Sequence, residues 1–116
     1  MNAQPATKPL NTDPQSIFKP RYDNFIGGKW VAPKGGQYFD NTTPINGKVF
    51  TSIARSTAPD IEAALDAAHA AKDAWGKAST TERSNVLLKI ADRIEQNLEL
   101  LAYAETWDNG KPVRET

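Results

Sequence analysis

The stretch from about Leu98 to Trp107 constrains this fold most, because it is apolar nearly all round. On a helix of 3.6 residues per turn, Leu98, Leu101 and Ala102 fall on one side and Leu100, Tyr103 and Trp107 on another. An ordinary surface helix hides one stripe, whereas this one asks for neighbours on more than one face. A single preceding helix covers only one of them. The stop that follows is well marked: Asn109-Gly110 supplies a left-handed residue and Pro112 forbids continuation. The chain is therefore expected to be a piece of a larger folded unit.

Two further helices are expected upstream. Thr57-Ala58-Pro59-Asp60 fits a capping box, in which Thr57 caps and Asp60 reaches back. The helix it opens is expected to run to about Trp75, with Ile61, Ala64, Leu65, Ala68 and Trp75 on one face and Glu62, Asp66 and Asp73 opposite. Ser79-Thr80-Thr81-Glu82 is a second capping box, starting a helix whose buried face is expected to be Leu87, Ile90, Ala91 and Ile94. A break is expected near Asn97, since Asn caps well and propagates poorly.

Before the helices lies a compact β region. Asn24-Phe25-Ile26 and Lys29-Trp30-Val31 flank Gly27-Gly28, a two-residue hairpin link. Tyr38–Thr42 reads as a strand, Thr43–Gly47 as a turn with Asn46-Gly47 suited to positive φ, and Val49–Ala54 as the returning β-branched strand. Residues 1 to about 20 carry Pro5, Pro9, Pro14 and Pro20 and read as an irregular arm. The fold class is α+β: short antiparallel β hairpins followed by three helices.

Composition narrows the function classes. The 116 residues carry fourteen basic and fourteen acidic side chains, so no basic excess favours nucleic acid or an anionic membrane. No apolar run is long enough to span a bilayer, and Met1–Pro5 lacks a secretory pattern; a cytoplasmic location is expected by default. With no cysteine, no residue of this chain serves as a thiol nucleophile or thiolate metal ligand.

Few side chains invite chemistry. Glu105 follows Leu98 by seven residues and Leu101 by four, which puts a carboxylate on their apolar stripe, and Asp108 flanks it. Three readings stand side by side. Glu105 accepts hydrogen bonds from a neighbouring loop, or pairs with an arginine such as Arg114, or Asp108 joins backbone carbonyls to hold a hard cation. Lys111 at a helix end chiefly complements the dipole. His69, with Asp66 and Asp73 nearby on the helix, reads as a solvated histidine for want of a second His or Cys. Gly27-Gly28 and Gly35-Gly36 lack the strand-then-helix layout of a phosphate loop. Trp30, Trp75 and Trp107 read as core. These features describe a soluble α+β piece without a complete active site.

The ordered set Phe25-Ile26-Gly27-Gly28-Lys29-Trp30, Thr43-Pro44-Ile45-Asn46-Gly47, Ala64-Leu65-Asp66-Ala67-Ala68, Glu82-Arg83, Ile90–Glu95 and Glu105–Pro112 resembles the N-terminal part of an NAD(P)-dependent aldehyde dehydrogenase. The agreement runs from about Arg21 to the C-terminus. Arg21–Asn24 and the block from Leu98 to Thr116 are similar to bacterial acetaldehyde dehydrogenases. The resemblance implies that 21–116 is a portion of the dinucleotide-binding domain in an aldehyde-dehydrogenase-like α/β fold. It implies oxidation of short aliphatic aldehydes to carboxylic acids with NAD, by a cysteine thiolate and a glutamate, in a homo-oligomer. No catalytic or NAD-binding residue is expected in this chain. The resemblance also implies a monovalent cation held by the Asp108 carboxylate and the Thr42 main-chain carbonyl, with a third group elsewhere. By itself the chain is expected to be inactive; the alternative is a stand-alone binding or regulatory module derived from the same segment.

Overall fold

The computed structural model describes residues 8–116. Pro5 and the start of the arm lie outside the described residues. Within the rest of the arm, Pro14–Ile17 form a single helical turn, α1, with proline at its first position. That is a departure from a wholly irregular arm. Its physical cause is that proline's fixed φ suits a first helical turn, where the missing N–H costs nothing.

The strands are β1 (Arg21–Tyr22), β2 (Asn24–Ile26), β3 (Lys29–Val31), β4 (Tyr38–Thr42) and β5 (Val49–Ala54). β2 and β3 pair antiparallel across Gly27-Gly28, whose φ of 63° and 81° only glycine adopts without strain. β4 and β5 pair antiparallel, with a bulge at Asn41/Thr42. The hairpins expected from the sequence are thus present. One pairing is different: β1 lies parallel to β5, giving a three-stranded sheet in the order β1-β5-β4. A two-residue strand carries no periodicity of its own, and its place is fixed from outside: Thr51 Oγ1 donates to Lys19 O at 2.7 Å and Ser52 N–H to Pro20 O at 3.1 Å.

The helices are α2 (Ala58–Lys77), α3 (Thr80–Gln96) and α4 (Leu98–Asn109), followed by a 3₁₀ turn over Val113–Glu115. Both expected starts hold. Thr57 N–H donates to Asp60 Oδ2 at 2.9 Å, and Ser79 and Glu82 exchange bonds of 3.0 and 3.1 Å. Asn97 separates α3 from α4, its Nδ2 donating to Arg93 O at 2.8 Å.

Burial departs most from the sequence-based expectation. Leu87, Ile90, Ala91 and Ile94, the anticipated buried face of α3, are exposed, Leu87 at 66%. On α2, Ile61, Leu65 and Trp75 are also exposed, and the side carrying Ile61, Ala64 and Ala67 approaches the β2–β3 hairpin. Trp30 and Trp75 are half exposed rather than core. The reason is geometric. The radius of gyration is 18.4 Å, against about 13 Å for a compact domain of this length. The accessible surface of 9180 Å² compares with about 6,200 Å² for a closed globule of this mass. With so few layers, amphipathic faces form without anything to bury them. A small core does sit beneath β5, where Phe18 meets Phe50 edge-on with centroids 4.8 Å apart, a contact worth about 0.5–1.5 kcal/mol beyond its area.

One side of α4 is covered. Trp107 Nε1 donates to Thr12 O at 2.8 Å, tying the arm to this helix, and the 3₁₀ turn folds back so that Thr116 Oγ1 reaches Ala102 O at 3.4 Å. The other side is open, with Leu98 and Leu101 exposed.

Candidate functional site

Thr42 and Asp108, the residues singled out for cation chemistry, lie on two segments, the end of β4 and the last turn of α4, that three local features join. First, β4 ends in its bulge at Asn41/Thr42, where ladder bonding is interrupted. Second, the chain turns through Thr43, which is 1% exposed and fully engaged. Its N–H donates to Lys48 O at 3.0 Å, its carbonyl accepts from Gly47 at 3.0 Å, and its Oγ1 accepts from Ile45 N–H at 3.2 Å. Third, α4 stops at Gly110 with φ 79°, and a Cβ there would lie 3.1 Å from Pro44 Cγ. Across this junction Asn41 Nδ2 donates to Asp108 Oδ1 at 2.9 Å. Asn41 and Pro44, on either side of Thr42-Thr43, are therefore both held against the last turn of α4.

The donor set is a carboxylate and main-chain carbonyls, hard oxygens of the sort that suit an alkali or alkaline-earth cation. Asn41 takes up one of the two carboxylate oxygens. Among the described residues no group of three or more His, Cys, Asp or Glu side chains is placed to hold a metal, so such a site depends on backbone oxygen and one carboxylate. Thr42 and Asp108 are both exposed.

The remaining candidates take no part in the Asn41–Asp108 contact. Glu105 is exposed rather than enclosed in an apolar stripe, and accepts from Asn109 Nδ2 at 3.4 Å. Arg114 does not pair with it, its ion pair being with Glu115 at 3.8 Å. Lys111 N–H donates to Asn109 Oδ1 at 2.8 Å, which completes the helix stop. His69 is exposed on α2.

Two polar clusters were not legible in the sequence. Asp60, only 4% exposed, does more than cap α2: its second oxygen accepts from Lys34 N–H at 2.8 Å and so pins the loop after β3 to the helix start. The backbone N–H donors of Thr57 and then Lys34 hold its carboxyl below the usual range. Tyr38 donates to Asp23 Oδ1 at 2.6 Å, and that bond, followed by desolvation, pushes the phenol's pKa up. Arg21 lies over the Tyr38 ring at 4.4 Å and pairs with Asp23 at 3.5 Å. No local motif announces a contact between residues 26 positions apart, such as Lys34 and Asp60.

Comparison with known proteins gives this architecture its class. The profile of the aldehyde dehydrogenase family matches residues 30–116. The chain belongs to the aldehyde dehydrogenase family. It is 76% identical over 99 residues to an aldehyde dehydrogenase of Deinococcus radiodurans, covering 85% of this chain and 19% of the relative. A long-chain-aldehyde dehydrogenase of Acinetobacter and an acetaldehyde dehydrogenase of Pseudomonas aeruginosa are each 71% identical over 99 residues, covering 85% of this chain and 20% of each relative. Among solved structures, an NAD-dependent aldehyde dehydrogenase from Sinorhizobium meliloti superposes with a TM-score of 0.80 at 34% identity, covering 94% of this chain and 22% of that one. PnpE in complex with nicotinamide adenine dinucleotide does so with a TM-score of 0.79 at 37% identity, covering 81% and 19%. The chain spans about a fifth of the length of the relatives it matches.

Proposed function

We propose that this chain is the N-terminal segment of an NAD-dependent aldehyde dehydrogenase that oxidises short aliphatic aldehydes, acetaldehyde among them, to carboxylic acids. The observation that carries this reading is the family match through β3, α2, α3 and α4 at 76% identity to an aldehyde dehydrogenase. NAD as cofactor is supported by the relative named NAD-dependent and by the one crystallised with the dinucleotide. The preference for short aldehydes rests on the likeness of Arg21–Asn24 and Leu98–Thr116 to acetaldehyde dehydrogenases. A relative named for long-chain aldehydes is equally similar, so the substrate pocket is best placed in polypeptide outside the match.

In this reading residues 21–116 form part of the dinucleotide-binding domain of a cytoplasmic homo-oligomer. They contribute no catalytic side chain; the thiolate that attacks the aldehyde comes from elsewhere. Their chemical contribution is the Thr42–Asp108 junction, which we take to hold a monovalent cation and so to brace α4 against the sheet. The test is to join this chain to the part of the Deinococcus relative beyond the match and assay NADH formation. NADH formation with acetaldehyde is expected from the joined polypeptide, with none from the 116-residue chain alone. A correctly folded joined polypeptide that reduces no NAD overturns the reading, and aldehyde oxidation by the isolated chain overturns the division of labour.

A further inference from the structure

Between the arm and the three-stranded sheet lies a cavity of about 310 Å³. The arm supplies Phe18 and Pro20 to it, β4 supplies Asp40, and β5 supplies Val49, Phe50 and Ser52. Ordinary packing leaves few voids larger than a water, whereas small-ligand pockets begin at about 300 Å³. The lining has the make-up of such pockets, mostly apolar with a few polar groups. Phe50 is 9% exposed and Phe18 meets it edge-on, so the aromatic wall is already held in place.

Asp40 gives the cavity its sign. It carries the only charge in the lining and, among the described residues, forms no ion pair. Its cross-strand partner is Ser52, so a carboxylate and a hydroxyl lie side by side on one face of the sheet. Ser52 Oγ donates to Phe39 O at 3.4 Å, which leaves that oxygen an acceptor. Arg21, in register with Ser52 from β1, does not line the cavity; Asp23 at 3.5 Å and the Tyr38 ring at 4.4 Å engage its guanidinium. Two acceptors without a cation, beside an aromatic wall, suit a positively charged donor with an apolar body.

We propose that this cavity binds a small organic ammonium ion, a single ring or a short aliphatic chain bearing one ammonium group. The ammonium meets Asp40 and Ser52, and the carbon body lies against Phe18, Phe50 and Val49. Neither Thr42 nor Asp108 enters the lining, so this ligand is distinct from the inorganic cation proposed at their junction. One wall is the arm and the other the sheet, joined by the Ser52 N–H bond to Pro20 O at 3.1 Å. An occupant therefore clamps the arm to β5.

The test is an amide chemical-shift titration of the 116-residue chain with phenethylammonium chloride, beside phenylethanol as the neutral analogue. Saturable shifts centred on the amides of Phe18, Phe50 and Ser52 are expected, with slower hydrogen exchange at Ser52. Phenylethanol should bind more weakly by roughly three- to fivefold, the worth of a solvent-accessible ion pair. Asp40→Asn should bring the two probes to equal affinity. Asp40→Lys should reject the ammonium and take phenylpropanoate instead, a gain that misfolding does not produce. Equal affinity of the unaltered chain for ammonium and alcohol overturns the assignment of ligand class. Shifts that do not saturate, or that are as large along α3 and α4 as at Phe18 and Ser52, overturn the site.

Discussion

Asn41 and Asp108, 67 positions apart, are joined by a 2.9 Å hydrogen bond from Nδ2 to Oδ1 that ties the end of β4 to the last turn of α4. It brings the bulge at Asn41/Thr42 to the only carboxylate at that junction proposed as a cation ligand. Asp108→Asn keeps an acceptor oxygen and removes the charge, so it separates hydrogen bonding from cation binding. In the unaltered chain, amide exchange at Gly110 should slow in concentrated potassium or sodium chloride relative to choline chloride of equal ionic strength. In Asp108→Asn the two salts should give equal rates. A cation response that survives the substitution removes Asp108 from the site.

Gly110 combines a φ of 79° with a neighbour 3.1 Å from where a Cβ would stand. Gly110→Ala is expected to cost about 1–2 kcal/mol of local opening free energy, the usual penalty of the left-handed region for a residue with a side chain. The readout is native-state exchange in the last turn of α4. Unchanged protection would mean that Pro44 and the turn yield freely.

Asp60 links Thr57 and Lys34 through both carboxylate oxygens. Because its folded pKa is lowered, its stabilising contribution is fully present above the unfolded value of about 3.9 and is lost as pH falls through the folded value. Protection of the Lys34 and Thr57 amides should accordingly decline in that acid window. Asp60→Ala should lose the protection at neutral pH and show no further acid loss there. A variant that keeps the acid transition assigns it to another carboxylate.

Tyr38 gives the opposite sign. Its folded pKa is raised, so the contribution of the Asp23 bond is present below about pH 10 and lost as pH rises through the folded value. Spectrophotometric titration should show one phenol ionising later than the others, and Asp23→Asn should return it toward the ordinary range. Three phenols titrating together would contradict the bond.

The exposed stripes of α3 and α4 make a prediction about the isolated chain. Fully burying a leucine-sized side chain is worth roughly 1.5–3 kcal/mol, and Leu87, Leu88, Ile90, Ile94, Leu98 and Leu101, about half exposed or more, each forgo a large part of that gain here. The purified chain should bind a hydrophobic dye and melt broadly. A sharp, cooperative transition without dye binding would show that these faces are covered in solution.

The starts of α2, α3 and α4, the two hairpins and the stop of α4 were legible because their causes are local. Thr57 and Asp60, Ser79 and Glu82, and Asn109 with Gly110 each act within a few residues, so neighbouring positions in the sequence hold both partners. Burial was not legible in the same way. Periodicity marks the face of α3 that prefers to leave water, and Ile90 and Ile94 lie on it, but whether that face is covered depends on which layer stands opposite. The same limit applied to Glu105, whose place on a helical stripe says nothing of the solvent it meets.

By itself the sequence determined where α2, α3 and α4 start, where α4 stops and which segments pair as the two hairpins, and the family to which their order belongs. Only the tertiary structure decided that β1 runs parallel to β5, that Asp60 serves Lys34 as well as Thr57, and that Asn41 meets Asp108. The physical reason is range: caps, glycine turns and helical stripes are set by chain stereochemistry over a few residues. Contacts between residues tens of positions apart are chosen by the packing of whole elements.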